Sequence, residues 1–260
     1  MTMADINGHR VYYEDSGGAG PAVIFSHGFL MDHSMFDAQV EALKDSYRCV
    51  SWDERGFGMT DCTGPFSFWD SADDLVALMD LLGIDRAVLV GMSQGGFLSL
   101  RAALAYPDRV RGLVIVDSEA GVNTAEEIAG YQGMNDMWVS AGPVPELTAG
   151  ICELILGDGV DHGPWIQKWT SRPPAWLSEP FDCLVGRDDI TNRLGEIVCP
   201  TLVFHGDADA SISVERGKMI ADGVKNSYDF VVVPGAPHAS NMSHPDLVNA
   251  RMQDFLKSLG

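Results

Sequence analysis

Cysteines are few in this sequence, and they show no pairing pattern. The five are an odd number without CxxC spacing, namely Cys49, Cys62, Cys152, Cys183 and Cys199. This arrangement argues against a disulfide framework and against a structural zinc site. It favours reduced thiols, and we therefore expect a cytoplasmic protein with no bound metal.

Long apolar runs and positive charge are also scarce. No run of about 18 or more apolar residues is present, so we expect no transmembrane helix, and residues 1–5 show no signal-peptide pattern. Only 17 lysines and arginines stand against 37 aspartates and glutamates, which gives a formal net charge of −20. Because such a surface repels phosphate backbones and anionic lipids, we expect neither nucleic acid nor a membrane as a partner.

Short apolar runs alternate with helical patterns along the chain. Such runs are typical of strands buried on both faces, and they occupy residues 22–25, 49–52, 87–90, 113–116, 201–204 and 228–233. Asn7-Gly8 adds a two-residue hairpin signal near the start. The alternation predicts an α/β fold with a mainly parallel sheet, in which functional sites lie at the carboxyl ends of the strands.

The pentapeptide Gly91-Met92-Ser93-Gln94-Gly95 follows one of these strands and precedes a helical pattern over residues 97–106. Strand, Gly-x-Ser-x-Gly and helix are the context of a nucleophile elbow, a turn so tight that its serine is strained. The flanking glycines let the turn close and project the Ser93 hydroxyl above the sheet. The alternative is a serine that only caps a helix.

A serine nucleophile needs a base, and the base needs an orienting carboxylate. His238 follows the last predicted strand and has the place expected of the base in the chain order serine, acid, histidine. Asp209, in the loop after the strand at 201–204, is the predicted acid, and Asp117 is the next candidate. Glu119 follows the same strand as Asp117.

The surrounding loops suggest supporting roles. The backbone N–H groups of Phe29 and Gln94 are placed to form an oxyanion hole beside Ser93. We expect structural roles for His27 and for the turn residue Asp207. The glycine-rich stretch at residues 53–58 has no Lys-Ser/Thr of a phosphate loop and no third glycine at dinucleotide spacing, so we interpret it as a structural loop.

Residues 118–197 are helical and irregular in pattern and hold four of the six tryptophans. Thr124 and Glu127 have the spacing of a capping box. These aromatic residues either pack the segment onto the rest of the protein or line an apolar pocket over the serine. The candidate substrate-binding residues are Met134, Trp138, Trp165 and Trp169.

Five motifs together resemble the α/β-hydrolase superfamily over essentially the whole chain. They are Ser26-His27-Gly28-Phe29, Trp52-Asp53-Glu54-Arg55-Gly56-Phe57-Gly58, Gly91-Met92-Ser93-Gln94-Gly95-Gly96, His205-Gly206-Asp207-Ala208-Asp209 and Gly235-Ala236-Pro237-His238. The resemblance implies a mostly parallel eight-stranded sheet flanked by helices, with a helical cap inserted after the sixth strand. It places the core in residues 1–117 and 198–260 and the cap in residues 118–197. It also implies the triad Ser93, Asp209 and His238.

Small bacterial carboxylesterases, enol-lactone hydrolases and cofactor-free haloperoxidases are the members that the chain is most similar to. That similarity implies hydrolysis of small, fairly apolar esters or lactones through an acyl-enzyme, without a cofactor. Dehalogenases and epoxide hydrolases carry an aspartate where this chain has Ser93, so those reactions are disfavoured. Carbon–carbon bond hydrolysis and perhydrolysis use the same triad and stay open, as does a non-catalytic ligand-binding receptor on the same fold.

Overall fold

The computed structural model describes residues 2–260, which form one eight-stranded sheet in the order β1-β2-β4-β3-β5-β6-β7-β8. All pairings from β4 through β8 are parallel, whereas β2 runs antiparallel to both β1 and β4. This confirms the predicted α/β fold with a mostly parallel sheet. The strands are β1 Thr2–Ile6, β2 His9–Asp15, β3 Ala22–Ser26, β4 Arg48–Trp52, β5 Ala87–Met92, β6 Val110–Val116, β7 Thr201–Gly206 and β8 Ser227–Val233.

The hairpin between β1 and β2 closes through Asn7 and Gly8, as the sequence predicts. Their φ angles are 48° and 83°, both in the left-handed region. A two-residue turn with two positive φ angles matches the twist of the flanking strands, and Asn-Gly tolerates it best.

Helices cover both faces of the sheet, which explains why the central strands are continuously apolar. One face packs against α2, α3 and α8, and the other against α1 and α10. Neighbouring strand residues alternate between the two cores, as Ile24 and Phe25 do. The helices are α1 Asp37–Leu43, α2 Phe68–Leu81, α3 Gln94–Ala105, α4 Ala125–Ala141, α5 Pro145–Leu156, α6 Gly163–Thr170, α7 Ser178–Val185, α8 Val214–Gly223, α9 Ser240–Ser243 and α10 Pro245–Ser258.

Helices α4 to α7 lie between β6 and β7, inside the segment predicted as the cap. Helix α4 begins with the expected capping box, in which Thr124 and Glu127 satisfy each other's backbone N–H groups. Helix α5 begins at Pro145 and is followed by Gly157 at φ 65°. No helix of residues 2–260 is long and apolar enough to cross a membrane.

The carboxyl ends of the parallel strands bring the polar candidates to one edge of the sheet. His27, Ser93 and Asp117 directly follow β3, β5 and β6. Asp209 and His238 lie in the loops after β7 and β8. Parallel strands end at the same edge, so residues far apart in sequence meet there.

Candidate active site

Ser93 occupies a strained turn between β5 and α3, with φ 50° and ψ −115°. A Cβ on Gly91 would lie 2.1 Å from the Gly95 carbonyl oxygen, and one on Gly95 would lie 2.0 Å from the Ser26 carbonyl oxygen. Both distances are impossible contacts, so the expectation of small residues around the serine is confirmed. The helix begins at Gln94, three residues earlier than its apolar pattern indicates, because the turn leads directly into it.

A hydrogen-bonded chain joins three of the predicted residues. The Ser93 Oγ lies 3.0 Å from His238 Nε2, and His238 Nδ1 lies 2.8 Å from Asp209 Oδ2. The serine and the histidine are 6% and 7% exposed, so both are largely shielded from solvent. A hydroxyl, an imidazole and a carboxylate in this order can move a proton from oxygen to nitrogen.

The Asp209 carboxylate is held in place by its own loop. Its Oδ1 accepts hydrogen bonds from the backbone N–H groups of Ser211 at 2.8 Å and Ile212 at 3.1 Å. Burial alone would raise the pKa of Asp209, but the charge of His238 and the hydrogen bonds from His205 and His238 outweigh it and hold the pKa well below its usual range. The carboxylate is therefore ionised and can orient His238.

The alternative acids have other partners. Asp117, fully buried, accepts backbone hydrogen bonds from Gly206 and Ser240, both at 2.8 Å. Burial raises its pKa to about 6. Asp207 accepts a hydrogen bond from the Gly235 N–H at 2.6 Å and so ties two loops together, as expected of a turn residue. The structure thus brings neither Asp117 nor Asp207 to the imidazole.

The loop after β3 packs directly on the elbow. A Cβ on Gly28 would lie 3.6 Å from Ser93 Cβ. The backbone N–H of Glu54 donates to His27 Nε2 at 3.0 Å, so the ring carries its proton on Nδ1 and donates it to the Gly28 carbonyl at 2.8 Å. Burial lowers the pKa of His27, which keeps the imidazole neutral in this role. His27 therefore holds the peptide that precedes Phe29.

The two backbone donors predicted for an oxyanion are unengaged. Among residues 2–260, the N–H groups of Phe29 and Gln94 have no hydrogen-bond acceptor. Both residues adjoin the serine, Gln94 through the chain and Phe29 across the same cavity. Free backbone donors near a nucleophilic oxygen can stabilise the oxyanion of a tetrahedral intermediate when they point toward it.

Glu54 is a buried carboxyl group that the sequence does not mark as special. It is 1% exposed, and its Oε2 accepts a hydrogen bond from the Gln94 side chain at 3.1 Å. Its Oε1 has no partner among residues 2–260. Burial raises the pKa of Glu54 well above its ordinary value and so favours the neutral, protonated carboxyl group. Within the loop at residues 53–58, this side chain therefore supports the residue next to Ser93.

A small cavity of about 60 Å³ opens beside Ser93 and His238. Met134 lines it, as predicted, and sequence analysis missed Tyr131 and Arg187. The other lining residues are Phe29, Leu30, Phe97, Glu119, Asn123, Ile151, Leu154, Ile155, Leu184, Ser211 and Ile212.

Three of the predicted substrate-binding residues do not line this cavity. Trp138 is fully buried and packs edge-on against Trp169 and Trp176, with ring centroids 6.0 and 6.1 Å away. The Trp169 indole donates to the Leu30 carbonyl at 2.6 Å. Trp165 is also buried, under the Lys168 ammonium. Trp138 and Trp165 are buried within the helical segment, whereas Trp169 also lines a separate cavity of about 340 Å³ beside Leu30 and Trp176.

Charged groups in the cavity wall neutralise each other. Arg187 Nη2 lies 2.5 Å from Glu119 Oε1, and Arg216 Nη1 lies 2.8 Å from Glu119 Oε2. The Arg187 guanidinium also stacks over the Phe97 ring at 4.5 Å. Because the Arg187 guanidinium is paired with Glu119, the cavity offers no unpaired positive charge, and its surface is largely apolar.

Metal-ligand atoms come within 4.8 Å of one another in two clusters, Asp117 with His205 and Asp209, and Asp32 with His33 and Asp53. In the first cluster, the carboxylate oxygens already accept hydrogen bonds from His238 and from backbone N–H groups. In the second, Asp53 Oδ1 accepts from His33 at 2.7 Å. A cation would have to displace the N–H groups that already donate hydrogen bonds to these carboxylate oxygens. The two clusters therefore do not fit a metal site.

Comparison with known proteins points to one family. The family model described as "alpha/beta hydrolase fold" matches residues 21–245. The chain is 30% identical to a putative non-heme chloroperoxidase of Synechocystis sp., with 95% of each chain covered, and 26% identical to 3-oxoadipate enol-lactonase 1 of Acinetobacter baylyi, with 92% of this chain and 90% of the relative covered. A thermophilic esterase from Thermogutta terrifontis superposes with a TM-score of 0.89 at 28% identity, covering 100% of this chain and 99% of the other. The chain belongs to the alpha/beta hydrolase fold family and is a hydrolase by that membership.

Proposed function

We propose that the protein is a serine hydrolase that cleaves small, fairly apolar carboxylic esters or lactones through an acyl-enzyme on Ser93. The observation that carries this proposal is the chain of two hydrogen bonds from Ser93 through His238 to Asp209, with Ser93 and His238 lining a cavity. The proposal keeps residues 118–197 as a cap over a core of residues 1–117 and 198–260.

In the first half-reaction, Ser93 Oγ attacks the ester carbonyl carbon while His238 Nε2 takes the hydroxyl proton. The carbonyl oxygen becomes an oxyanion and accepts hydrogen bonds from the N–H groups of Phe29 and Gln94. The carbon–oxygen bond to the leaving group then breaks, and His238 gives its proton to the departing alcohol. Asp209 keeps the imidazole oriented and stabilises its transient positive charge.

In the second half-reaction, water replaces the alcohol. His238 Nε2 takes a proton from the water as its oxygen attacks the acyl carbon. The same two N–H groups hold the second oxyanion. The bond to Ser93 Oγ breaks, His238 returns its proton to that oxygen, and the carboxylic acid leaves.

The cavity chemistry supports an uncharged substrate. Its guanidinium is already paired with Glu119, and the net charge of −20 disfavours anions approaching from solution. A relative named as an enol-lactonase and a structural neighbour titled as an esterase support esters and lactones as the substrate class.

Hydrolysis of p-nitrophenyl esters with two to twelve acyl carbons tests the proposal. We expect turnover of short esters by the wild type and a loss of at least about 10³-fold in kcat for Ser93→Ala. Ser140→Ala is the matched control, because Ser140 is exposed on α4 and its hydroxyl contacts only the helix backbone. Equal activity of Ser93→Ala and Ser140→Ala would reject Ser93 as the nucleophile.

Perhydrolysis is a second candidate, favoured by the 30% identical relative named as a chloroperoxidase. In that reaction hydrogen peroxide takes the place of water at the acyl-enzyme and yields a peracid. Peracid formation from p-nitrophenyl acetate at millimolar peroxide, lost in Ser93→Ala, would favour it. Ester consumption that yields only acetate under the same conditions would leave hydrolysis as the activity.

A further inference from the structure

A shallow apolar groove between α4 and α5 shares part of its wall with the catalytic cavity. Its volume is about 400 Å³. The two cavities share the residues Tyr131, Met134, Ile151, Leu154 and Ser211. The groove and the catalytic cavity therefore lie on either side of the same five side chains, so a chain that reaches past them from Ser93 would enter the groove.

The two spaces differ greatly in size. Pockets that hold small ligands usually enclose roughly 300–1,000 Å³. The space of about 60 Å³ beside Ser93 is far smaller and admits only a small group next to the reacting carbonyl. The groove of about 400 Å³ falls within the usual range.

The groove is built from matching faces of two helices. In α4, Gly130, Tyr131 and Met134 line it, and in α5 the lining residues have the spacing i, i+3, i+4 and i+7 from Leu147 to Leu154. This repeat gives each helix one continuous stripe toward the groove. Leu154 is 41% exposed, so its side chain is available to an apolar occupant of the groove.

The charges around the groove favour a neutral occupant. Among residues 2–260, no lysine or arginine lines it, and its acidic members are Glu127 and Glu146 at the rim. Glu127 is paired with Arg216 at 2.9 Å. An alkyl or aryl chain without charge suits this surface, whereas a carboxylate would meet only acidic neighbours.

Two glycines keep the groove open. Gly130 and Gly150 lie inside α4 and α5, where glycine destabilises a helix relative to alanine. A Cβ on either would meet no atom within 4 Å, so packing does not require glycine there. Larger side chains at these two positions would project into the groove and take up its volume.

We propose that this groove binds the extended apolar chain of the substrate, so that the protein acts on esters with a small group at the carbonyl cavity and a longer uncharged alkyl or aryl chain between α4 and α5. The proposal rests on the proposed ester hydrolysis. Gly130 and Gly150 act as specificity-determining residues, because their missing side chains leave room for that chain.

The test blocks the groove and measures chain-length preference. Gly130→Trp and Gly150→Trp fill it, and Gly133→Trp is the matched control, since Gly133 is exposed in the same helix as Gly130 and lines no cavity described above. The measurement is the ratio of kcat/KM for a ten-carbon chain to that for a two-carbon chain. The ratio is measured in two series: p-nitrophenyl esters, in which the acyl chain varies, and alkyl acetates, in which the alcohol chain varies.

Each buried methylene changes an equilibrium constant by about fourfold, so excluding even two methylenes predicts a drop of at least about tenfold. In one of the two ester series, we expect the ratio to fall by that factor in both Gly130→Trp and Gly150→Trp. In Gly133→Trp the ratio should stay within about twofold of wild type. The series that responds assigns the groove to the acyl or the alcohol side. An unchanged ratio in both series, or an equal loss for short and long chains, would overturn the proposal.

Binding without turnover separates the groove from the chemistry. Calorimetric titration of 1-octanol into Ser93→Ala should give binding that Gly150→Trp weakens and Gly133→Trp does not. If no ester is cleaved by the wild type but this pattern is found, the groove stands and the proposed hydrolysis falls. If esters are cleaved but 1-octanol binds all variants equally, the groove proposal fails alone.

Discussion

Replacing Asp209 with asparagine should stop His238 Nε2 from accepting the Ser93 proton while leaving the imidazole in place. Asp209 Oδ1 accepts two backbone hydrogen bonds, at 2.8 and 3.1 Å, so the oxygen of an asparagine would stay on that side. The amide nitrogen then faces His238 Nδ1 across 2.8 Å. Two donors cannot share that contact, so the imidazole turns to the tautomer with its proton on Nε2.

A proton on Nε2 prevents His238 from accepting the Ser93 proton across their 3.0 Å contact. Substitutions of this kind in serine proteases lower kcat by about 10⁴-fold, and we expect a similar loss here. The assay is kcat for p-nitrophenyl acetate together with the free energy of unfolding in urea, which separates lost chemistry from lost folding.

Asp117→Asn is the matched control for this experiment. Asp117 is also fully buried and follows a neighbouring strand, but its oxygens accept from Gly206 and Ser240 and not from the imidazole. Losing one of these hydrogen bonds should lower stability by about 1–3 kcal/mol and change kcat by less than about tenfold. A variant Asp209→Asn that keeps kcat within tenfold of wild type would refute the tautomer argument, as would an equally inactive but stably folded Asp117→Asn.

Three further predictions concern groups around the site. Burial raises the pKa of Glu54 in the folded state, so wild-type stability relative to Glu54→Gln should fall as pH rises above the ordinary glutamate pKa, by up to ~1.4 kcal/mol per pH unit. Urea-denaturation free energies of the two proteins that stay parallel from pH 5 to 8 would contradict this. Gly91→Ala should lower the free energy of unfolding by more than about 4 kcal/mol, because the new Cβ would lie 2.1 Å from the Gly95 carbonyl oxygen. Gly130→Ala, whose Cβ meets no atom within 4 Å, should raise it by about 0.5–1 kcal/mol. Thermal melts that rank the two variants the other way would refute the steric argument. Trp169→Phe should cost about 1–3 kcal/mol in urea denaturation by orphaning the carbonyl that its indole contacts at 2.6 Å, and an unchanged free energy would show that water replaces the indole.

The sheet was predictable because each buried strand carries its own signal. Residues such as Ile24 and Phe25 face opposite cores, so the whole run must be apolar, and no distant partner is needed to recognise it. The ends of helices are harder to predict from the local sequence pattern than the strands are. The start of α3 at Gln94 follows from the turn geometry at Ser93, which the apolar spacing of the helix does not record.

Side-chain partners far apart in sequence were not predictable in the same way. Glu119 pairs with Arg187 across 68 positions and Glu54 contacts Gln94 across 40, and no local pattern marks either pair. Tryptophan content predicts burial but not the face that is buried, so Trp138 is found within the helical segment instead of at the cavity. The one-turn spacing between Tyr131 and Met134 is the local signal that places Tyr131 on the same helix face as Met134.

The choice between two buried acids shows what the folded structure adds to the sequence. Asp117 and Asp209 both follow central strands, and burial pushes the pKa of each upward. At Asp117 burial prevails, and the pKa is about 6, because His205 and His238 offset it only in part. At Asp209 the direct contacts to His238 and His205 prevail, and the pKa lies below its usual range. Of the two carboxyl groups, Asp209 is therefore the one whose negative charge the site itself stabilises, as an orienting acid requires.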